Sequence, residues 1–213
     1  SKRIEELYQK LHPSNNLRSI PGVGEHTAPI FLAGVGNPHR FRNQSAFANW
    51  NGVVPGARQS SDLEAKGLRM TKAGPPIMRC SLFLAGEVGR QWDPHLAQVY
   101  HRAMVYHGKN HKQAMGAVMS HLAARILAVM RDGRPYELRD VEGRPISGRE
   151  ARKLILSKYQ VSEEMRRERR RRNHRMGNDQ RLVTSKEGMP ELSRIHEAAF
   201  APQPAIARAI PKS

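Results

Sequence analysis

The sequence is poor in several residue types, and each scarcity limits what the protein can be. It contains a single cysteine, Cys80, so it has no internal disulfide and no cysteine-built zinc site. Aromatic residues make up 6%, and 19 acidic residues stand against 36 basic ones. No apolar run approaches the roughly 20 residues that span a bilayer, and the opening residues lack the apolar centre of a secretory signal. We therefore predict a soluble, intracellular protein without a membrane partner, in which Cys80 is a small buried side chain.

The excess of positive charge is the strongest signal in the composition. The formal net charge is +17 at pH 7 over 213 residues, which exceeds what solubility requires. Such a charge favours a polyanion as partner, and binding to nucleic acid weakens steeply as salt rises. Apolar residues make up 38% of the chain, enough for a hydrophobic core at this length.

The spacing of apolar residues predicts a mainly α fold. An amphipathic helix opens the chain and ends before Pro13; it resembles the end of a longer helix, so we expect the chain to be a fragment. Two short helices are predicted before residue 36, and residues 37–71, rich in Gly, Asn, Ser and Pro, predict mostly loops and turns. Residues 74–132 predict a compact unit of three helices, with starts at Pro75-Pro76 and at Asp93-Pro94.

The composition changes after about residue 144. Residues 144–213 hold 17 Lys and Arg against 8 Asp and Glu, and residues 166–175 include seven arginines. Such a run is either a solvated, disordered arm or an arm that neutralises phosphates and becomes ordered on binding. We expect an Arg-rich extension with an Ala/Pro tail that is partly disordered.

A Gly-Val-Gly turn is the first candidate binding feature. Residues 17–28 fit a helix-hairpin-helix pattern, in which Gly22 and Gly24 let the backbone approach a phosphate at the start of the second helix. The same turn also occurs as an ordinary connection between two helices, with no role in binding. Pro29 lies inside the expected second helix and predicts a kink or a shortening there.

Two serines in a basic stretch are the second candidate feature. Ser60 and Ser61 follow Pro55 in a Gly- and Gln-containing loop. Cations around a hydroxyl can hold the nonbridging oxygens of a phosphodiester and stabilise the charge that develops during attack. The alternative is a turn whose hydroxyls bond to nearby backbone. The neighbouring cations are Arg58, Lys66, Arg69, Lys72 and Arg79.

The histidines and carboxylates show no metal-binding pattern. His107, His111 and His121 come nearest to a cluster but lack neighbouring Cys or paired carboxylates, so we interpret them as surface or core polar residues. No tight group of three or four Asp or Glu occurs, so we predict no metal and no cofactor in this chain.

Several short motifs, in a fixed order, resemble one known family. Together they cover residues 15–137, which resemble the C-terminal domain of the DEDD-type insertion-sequence transposases. These are relatives of the pilin-gene invertases and are known as bridge-RNA-guided recombinases. The motifs are Ser19–Gly24, Arg40-Phe41, Phe47-Ala48, Gly52–Pro55, Arg69–Gly74 with Arg79, His107–Lys109 and Gly133–Tyr136.

The resemblance implies roles for named residues. In that family, a serine a few residues after the Gly-x-x-Pro turn is the nucleophile and becomes joined to DNA. Here that position is Ser60, with Ser61 as the alternative because the family often has Ser-Gly at this place. Arg69, Lys72 and Arg79 fall in the family's basic motif and by resemblance contact the DNA phosphates.

The resemblance also implies partners and domain limits. The family has an N-terminal RNase H-like domain whose four acidic residues hold a divalent metal, expected to be Mg²⁺, and which joins the serine of another protomer. DNA, a guide RNA and further copies of the chain are thus expected partners, in the cytoplasm of a bacterium or archaeon near the nucleoid. The expected domains are the end of a connecting helix (1–14), the transposase serine domain (15–143) and the extension (144–213).

Two functions follow as expectations. The first is a serine-type DNA transposase or recombinase domain that needs the acidic domain for activity. The alternative is a non-catalytic basic DNA- or RNA-binding module of helix-hairpin-helix type.

Overall fold

The fold is mainly α, as the sequence predicts. The computed structural model describes residues 2–54, 59–60, 63–64 and 70–172. Ser1–Arg170 form one compact unit, and Arg171–Ser213 are assigned to a second. The helices are α1 (Lys2–Leu11), α2 (Thr27–Val35), α3 (Gln44–Asn51), α4 (Pro76–Gly89), α5 (Pro94–Val105), α6 (His111–Asp132) and α7 (Gly148–Lys158), with short 3-10 helices at Asn16–Ser19 and Pro38–Arg40.

Helix α6 forms the centre of the compact unit. It contacts α3, α4, α5 and both 3-10 helices, and nine of its residues, among them Leu122 and Ile126, are buried. By length and composition α6 could cross a membrane. Because other helices cover it on several sides, its apolar character is that of a core helix.

The helix starts follow the capping residues in the sequence. The Asp93 side chain accepts a hydrogen bond from the Leu96 amide at 3.0 Å, and Pro94 occupies the first helical position of α5. Asn110 and Gln113 form a reciprocal capping box at the start of α6. Helix α4 begins at Pro76, so the predicted starts of the core helices are confirmed.

A buried polar network ties the end of α6 to the start of α5. Asp93 is fully buried and accepts a hydrogen bond from the Tyr136 hydroxyl at 2.7 Å, while the Arg125 Nε lies 3.3 Å from its carboxylate. Burial and the Asp93 charge raise the pKa of Tyr136 to about 12. The buried carboxylate is thereby satisfied by a cap, an ion pair and a hydroxyl.

Two local expectations about the helices are wrong. Helix α3 lies within residues 37–71, where loops and turns were expected; the Asn43 side chain caps it and Gly52, with φ 65°, ends it. Pro29 neither kinks nor shortens α2, because the helix begins at Thr27. Pro29 therefore sits in the first turn, where its missing N–H would have had no intrahelical partner.

The outer face of α4 also differs from expectation. Cys80 is exposed, not buried, and Val88, which the apolar spacing places inside, is 48% exposed. Met78, Ser81, Leu82 and Ala85, which the same spacing places inside, are buried. The buried face of α4 is therefore narrower than the spacing predicts, because Val88 lies outside it.

The first part of the predicted extension packs against the helical core. Helix α7 contacts α5 and buries Ala151 and Ile155, Val161 joins the core cluster, and residues 163–172 are helical. The compact unit continues to Arg170, and the domain limit expected at residue 143 stays a prediction. The Ala/Pro tail lies outside the described residues.

Candidate nucleic-acid interface

The Gly-Val-Gly turn packs directly on α4. Gly22 has a φ of 91°, which L side chains rarely adopt, and a β-carbon there would overlap the Ala85 carbonyl oxygen and lie 2.6 Å from the Gly89 amide nitrogen. Gly89 in turn leaves room for the Pro21 carbonyl. Gly22 thus faces the protein, and its glycine identity is explained by this close approach of two backbones.

Gly24 is the glycine of this turn that faces open space. A β-carbon at Gly24 would meet nothing within 4 Å among the described residues, and its amide donates to the Thr27 hydroxyl at 3.0 Å. The helix before the turn, Asn16–Ser19, is a four-residue 3-10 helix. The predicted binding of phosphate by the backbone at Gly22 and Gly24 stays a prediction, and the geometry leaves Gly24 the more accessible of the two.

Backbone contacts hold together the two ends of the segment that carries the candidate nucleophile. The Thr71 amide donates to the Val54 carbonyl at 3.0 Å, and the Lys72 amide donates to the Gly52 carbonyl at 3.2 Å. The Ser120 hydroxyl of α6 donates to the Val53 carbonyl at 2.8 Å. Residues 52–54 and 70–72 therefore form a base that is fixed to α6.

Glycines make this base possible. A β-carbon on Gly52 would lie 2.6 Å from the Ala73 amide nitrogen, and one on Gly74 would overlap the Trp50 carbonyl oxygen. Lys72, opposite Gly52, has a φ of 54° although it is not a glycine, and its side chain is exposed. Left-handed backbone at a non-glycine residue is uncommon and persists where surrounding contacts impose it.

Arg79 joins this base to α4. Its guanidinium donates through Nη1 to the Gly74 carbonyl oxygen, and the side chain is partly buried. The remaining N–H groups of a guanidinium are free to bind an anion in the usual fork geometry. The structure therefore brings Lys72 and Arg79, two of the five cations that the sequence places near the serines, to the start of α4.

Ser60 lies on a short antiparallel pair between the two halves of the base. Strand β1 (Gln59–Ser60) pairs with β2 (Leu63–Glu64), with Ser60 opposite Leu63 and residues 61–62 connecting them. The side chains of Ser60, Arg58 and Arg69 lie outside the described part of the structure, as does Ser61. Their predicted roles as nucleophile and phosphate contacts remain predictions.

The described residues offer no ready-made metal site. No group of three or more His, Cys, Asp or Glu that could hold a metal ion occurs within them. His111 instead bonds to Glu87 and to the Tyr100 hydroxyl, at 2.8 and 2.9 Å. Burial raises the pKa of Glu87, but hydrogen bonds from His111 and Arg90 outweigh this and lower the pKa to about 2.

Sequence reasoning missed a second concentration of cations. Arg90, Arg152 and Arg166 line one cavity, although the last two are 62 and 76 positions from the first. No local motif connects them, and the composition of residues 144–213 predicts an extension beyond the fold. Only the packing of α7 against α5 reveals that they meet.

The chain matches known sequences over the part that carries these features. Residues 14–101 match the transposase IS116/IS110/IS902 family. The chain is 28% identical to the pilin gene-inverting protein of Moraxella bovis over 128 residues, which are 60% of this chain and 40% of that protein. It is 31% identical, over 129 residues, to an uncharacterised 43.6 kDa protein of the insertion element IS110 from Streptomyces coelicolor; these are 60% of this chain and 31% of that protein.

A third relative gives the same picture. The pilin gene-inverting protein of Moraxella lacunata is 28% identical over 123 residues, which are 58% of this chain and 38% of that protein. The chain thus matches two fifths or less of each of these relatives. The matched region contains the Gly-Val-Gly turn, Ser60 and Arg79. Residues 14–101 are accordingly similar to the transposase domain of the IS116/IS110/IS902 family.

Proposed function

We propose that this chain supplies the serine nucleophile of a DNA transposase or recombinase, with Ser60 as the attacking residue. In this proposal the chain acts as an oligomer on DNA, with a guide RNA, and together with an N-terminal RNase H-like domain. The observation that carries the proposal is the family match across residues 14–101, which includes a serine-bearing segment held at its base beside Lys72 and Arg79.

The fixed base supports a catalytic use of this segment. Contacts from Val54 to Thr71 and from Gly52 to Lys72 keep the two ends of the segment together before any ligand arrives. A reacting group gains from such positioning because less freedom is lost when the substrate binds. The cations at the start of α4 add electrostatic stabilisation for a phosphate whose negative charge grows during attack.

The proposed reaction is a transesterification. The Ser60 Oγ forms a bond to phosphorus while the bond from phosphorus to one bridging oxygen of the DNA strand breaks. The serine proton leaves to solvent or to a neighbouring base, and the departing oxygen takes up a proton to become a hydroxyl. A strand hydroxyl then attacks the phosphoserine, which releases Ser60 and joins the strands without an external energy source.

In this proposal the divalent metal that the resemblance implies is held by the acidic domain. Because the described residues hold no three-ligand group, we assign no step of the reaction here to a metal. When bound in the acidic domain, the metal would supply Lewis-acid stabilisation of the phosphate. The role left to this chain is to carry the nucleophile and bind the strand.

The test is covalent capture of DNA by an assembly that contains this chain, the acidic domain and guide RNA. Ser60→Ala and Ser61→Ala are compared with the unchanged chain, and protein–DNA adducts are counted on a denaturing gel. We expect Ser60→Ala to abolish the adduct and Ser61→Ala to retain it. Nucleic-acid affinity, measured in parallel, should be similar in the two variants.

Three outcomes contradict the proposal in different ways. An adduct that survives Ser60→Ala removes Ser60 as the nucleophile, and loss only in Ser61→Ala assigns the neighbouring hydroxyl instead. No adduct with the unchanged chain, together with strong salt-dependent binding, favours the non-catalytic binding module.

A further inference from the structure

A cavity of about 370 Å³ lies at the carboxyl end of α4, the end of this helix that is farther from Arg79. Its walls come from the carboxyl end of α4 and the first two turns of α5 on one side, and from α7 and residues 159–166 on the other. Arg90 and Arg79 are eleven positions apart along α4, which places the two ends about 16 Å from each other. The cavity is therefore separate from the Lys72 and Arg79 cations.

Two guanidinium groups in this cavity share one aromatic ring. The carbon at the centre of the Arg90 guanidinium lies 4.3 Å from the centroid of the Tyr100 ring, and that of Arg166 lies 5.7 Å from it. Tyr100 itself is 2% exposed. Two like charges beside one ring repel each other, so an anion bound next to them lowers this repulsion.

Donor groups remain available on these arginines. Arg90 gives Nε and Nη2 to the Glu87 carboxylate, and Arg152 gives Nη1 to the Gln91 carbonyl at 2.9 Å. These bonds fix the position of each group and leave other N–H groups unused. The Arg166 Nε is buried, and no partner for it occurs among the described residues.

The acidic residues nearby do not cancel the charge of the cavity. Glu87 is engaged by Arg90 and by His111, and Glu163, which lines the cavity, lies 3.5 Å from the Arg167 Nε. With Arg90 paired to Glu87, the guanidiniums of Arg152 and Arg166 stand against one lining carboxylate, Glu163, which has a cationic neighbour of its own. Arginine forks of this kind match the oxygens of a phosphate.

An exposed aromatic side chain next to the cavity indicates which kind of molecule would place a phosphate there. Trp92 is 47% exposed, and the Arg152 guanidinium lies 5.4 Å from the centroid of its ring. Cations that track a backbone beside an aromatic face on which a base stacks are typical of sites for single-stranded nucleic acid. We propose that this cavity binds a backbone phosphate of a nucleic-acid strand, with the adjacent base on Trp92.

The test compares two double variants of the full 213-residue chain that remove the same charge from the same two helical segments. Arg152→Gln with Arg166→Gln removes two cavity cations. The matched control, Arg149→Gln with Arg170→Gln, removes two exposed cations of the same elements. Binding of a single-stranded DNA and an RNA of equal sequence is measured by fluorescence anisotropy at several salt concentrations.

We expect the cavity variant to lose at least tenfold in affinity for DNA, RNA or both, and the control to lose less than threefold. The slope of log affinity against log salt should fall by about two in the cavity variant. The strand that loses affinity identifies whether DNA or RNA occupies the site. Equal losses in the two double variants for both strands overturn the proposal, because the cavity then counts only as general charge.

A second measurement does not depend on the stability of the variants. The Nε–Hε resonances of Arg166 and Arg149 are followed by NMR while the unchanged chain is titrated first with inorganic phosphate and then with the oligonucleotide. A shift at Arg166 with the oligonucleotide, larger than at Arg149, supports the site. An Arg166 resonance that moves with inorganic phosphate but not with the oligonucleotide overturns the assignment to a strand. The outcome is independent of covalent capture by Ser60.

Discussion

The helical core and the base of the Ser60 segment are held by different kinds of contact. Helices α4, α5 and α6 pack through apolar side chains and through one satisfied buried carboxylate, Asp93. The base, residues 52–54 and 70–74, is held by backbone hydrogen bonds and by glycines that permit close approach. Stability therefore depends mainly on the core, whereas the base holds the ends of the segment that carries the predicted nucleophile.

The largest loss of stability is expected from a change in the helical core, Asp93→Ala. The change removes the cap of α5 and leaves Arg125 without its buried partner, which should lower the free energy of unfolding by about 3–5 kcal/mol. Denaturant unfolding measures this. Asp132→Ala, at the exposed carboxyl end of α6, is the control and should be neutral or slightly stabilising. Similar losses in both variants would mean that the network contributes little.

The next effect concerns the junction between the turn and α4. Gly22→Ala places a β-carbon against the backbone of α4 at a positive φ and should lower the free energy of unfolding by about 2–4 kcal/mol. Gly24→Ala meets open space and should change it by less than about 0.5 kcal/mol. Thermal unfolding compares the two. If Gly24→Ala nevertheless weakens binding of nucleic acid, the backbone of the turn approaches a phosphate.

A smaller effect is expected for Glu87 as pH falls. Its pKa is lowered from 4.5 to about 2, so its carboxylate stabilises the folded state above pH 4.5, and this contribution is lost as pH falls from 4.5 towards 2. Glu87→Gln should cost about 1–2 kcal/mol at pH 7, allowing for partial solvent screening, and should flatten the stability curve in that range. Glu6→Gln, exposed on α1, is the control. An unchanged acid profile in Glu87→Gln would contradict the assignment.

The smallest effect on stability is expected from a change in the base, and it is a gain where the changes above cause a loss. Lys72→Gly should raise the free energy of unfolding by about 0.5–1 kcal/mol, because glycine adopts a φ of 54° without strain. The same change should weaken binding of DNA, since it removes a predicted phosphate contact. Thr71→Gly, next to it and without positive φ, should lower stability instead. Loss of stability in Lys72→Gly would show that its side chain supports the base.

The sequence predicts the core well because its signals are local. Asp93-Pro94 marks the start of α5, and the spacing of apolar residues marks the buried faces of α4 and α6. The spacing of apolar residues does not predict helix α3, because its eight residues are too few to show a periodic pattern. Asn43 and Gly52 nevertheless mark its two ends. Exposure of Cys80 depends on which face of α4 the other helices cover, and the sequence of α4 alone does not specify that.

The candidate site is predictable only in part for the same reason. Lys72 and Arg79 lie close together in sequence, so their joint position at the start of α4 follows from a local motif. Gly22 could not be distinguished from Gly24, because its partner, the Ala85 carbonyl, lies more than sixty residues away. Arg90, Arg152 and Arg166 converge only through the packing of α7 on α5.

The paired backbone at residues 52–54 and 70–72 has a consequence for redesign of the chain. Because the hydrogen bonds from Thr71 to Val54 and from Lys72 to Gly52 hold the two ends of the intervening chain together, insertions between them leave those ends in place. Lengthening a flexible loop costs little, about 0.6 kcal/mol for each doubling. The length of the chain that carries Ser60 can therefore be varied in experiments with the helical core left unchanged.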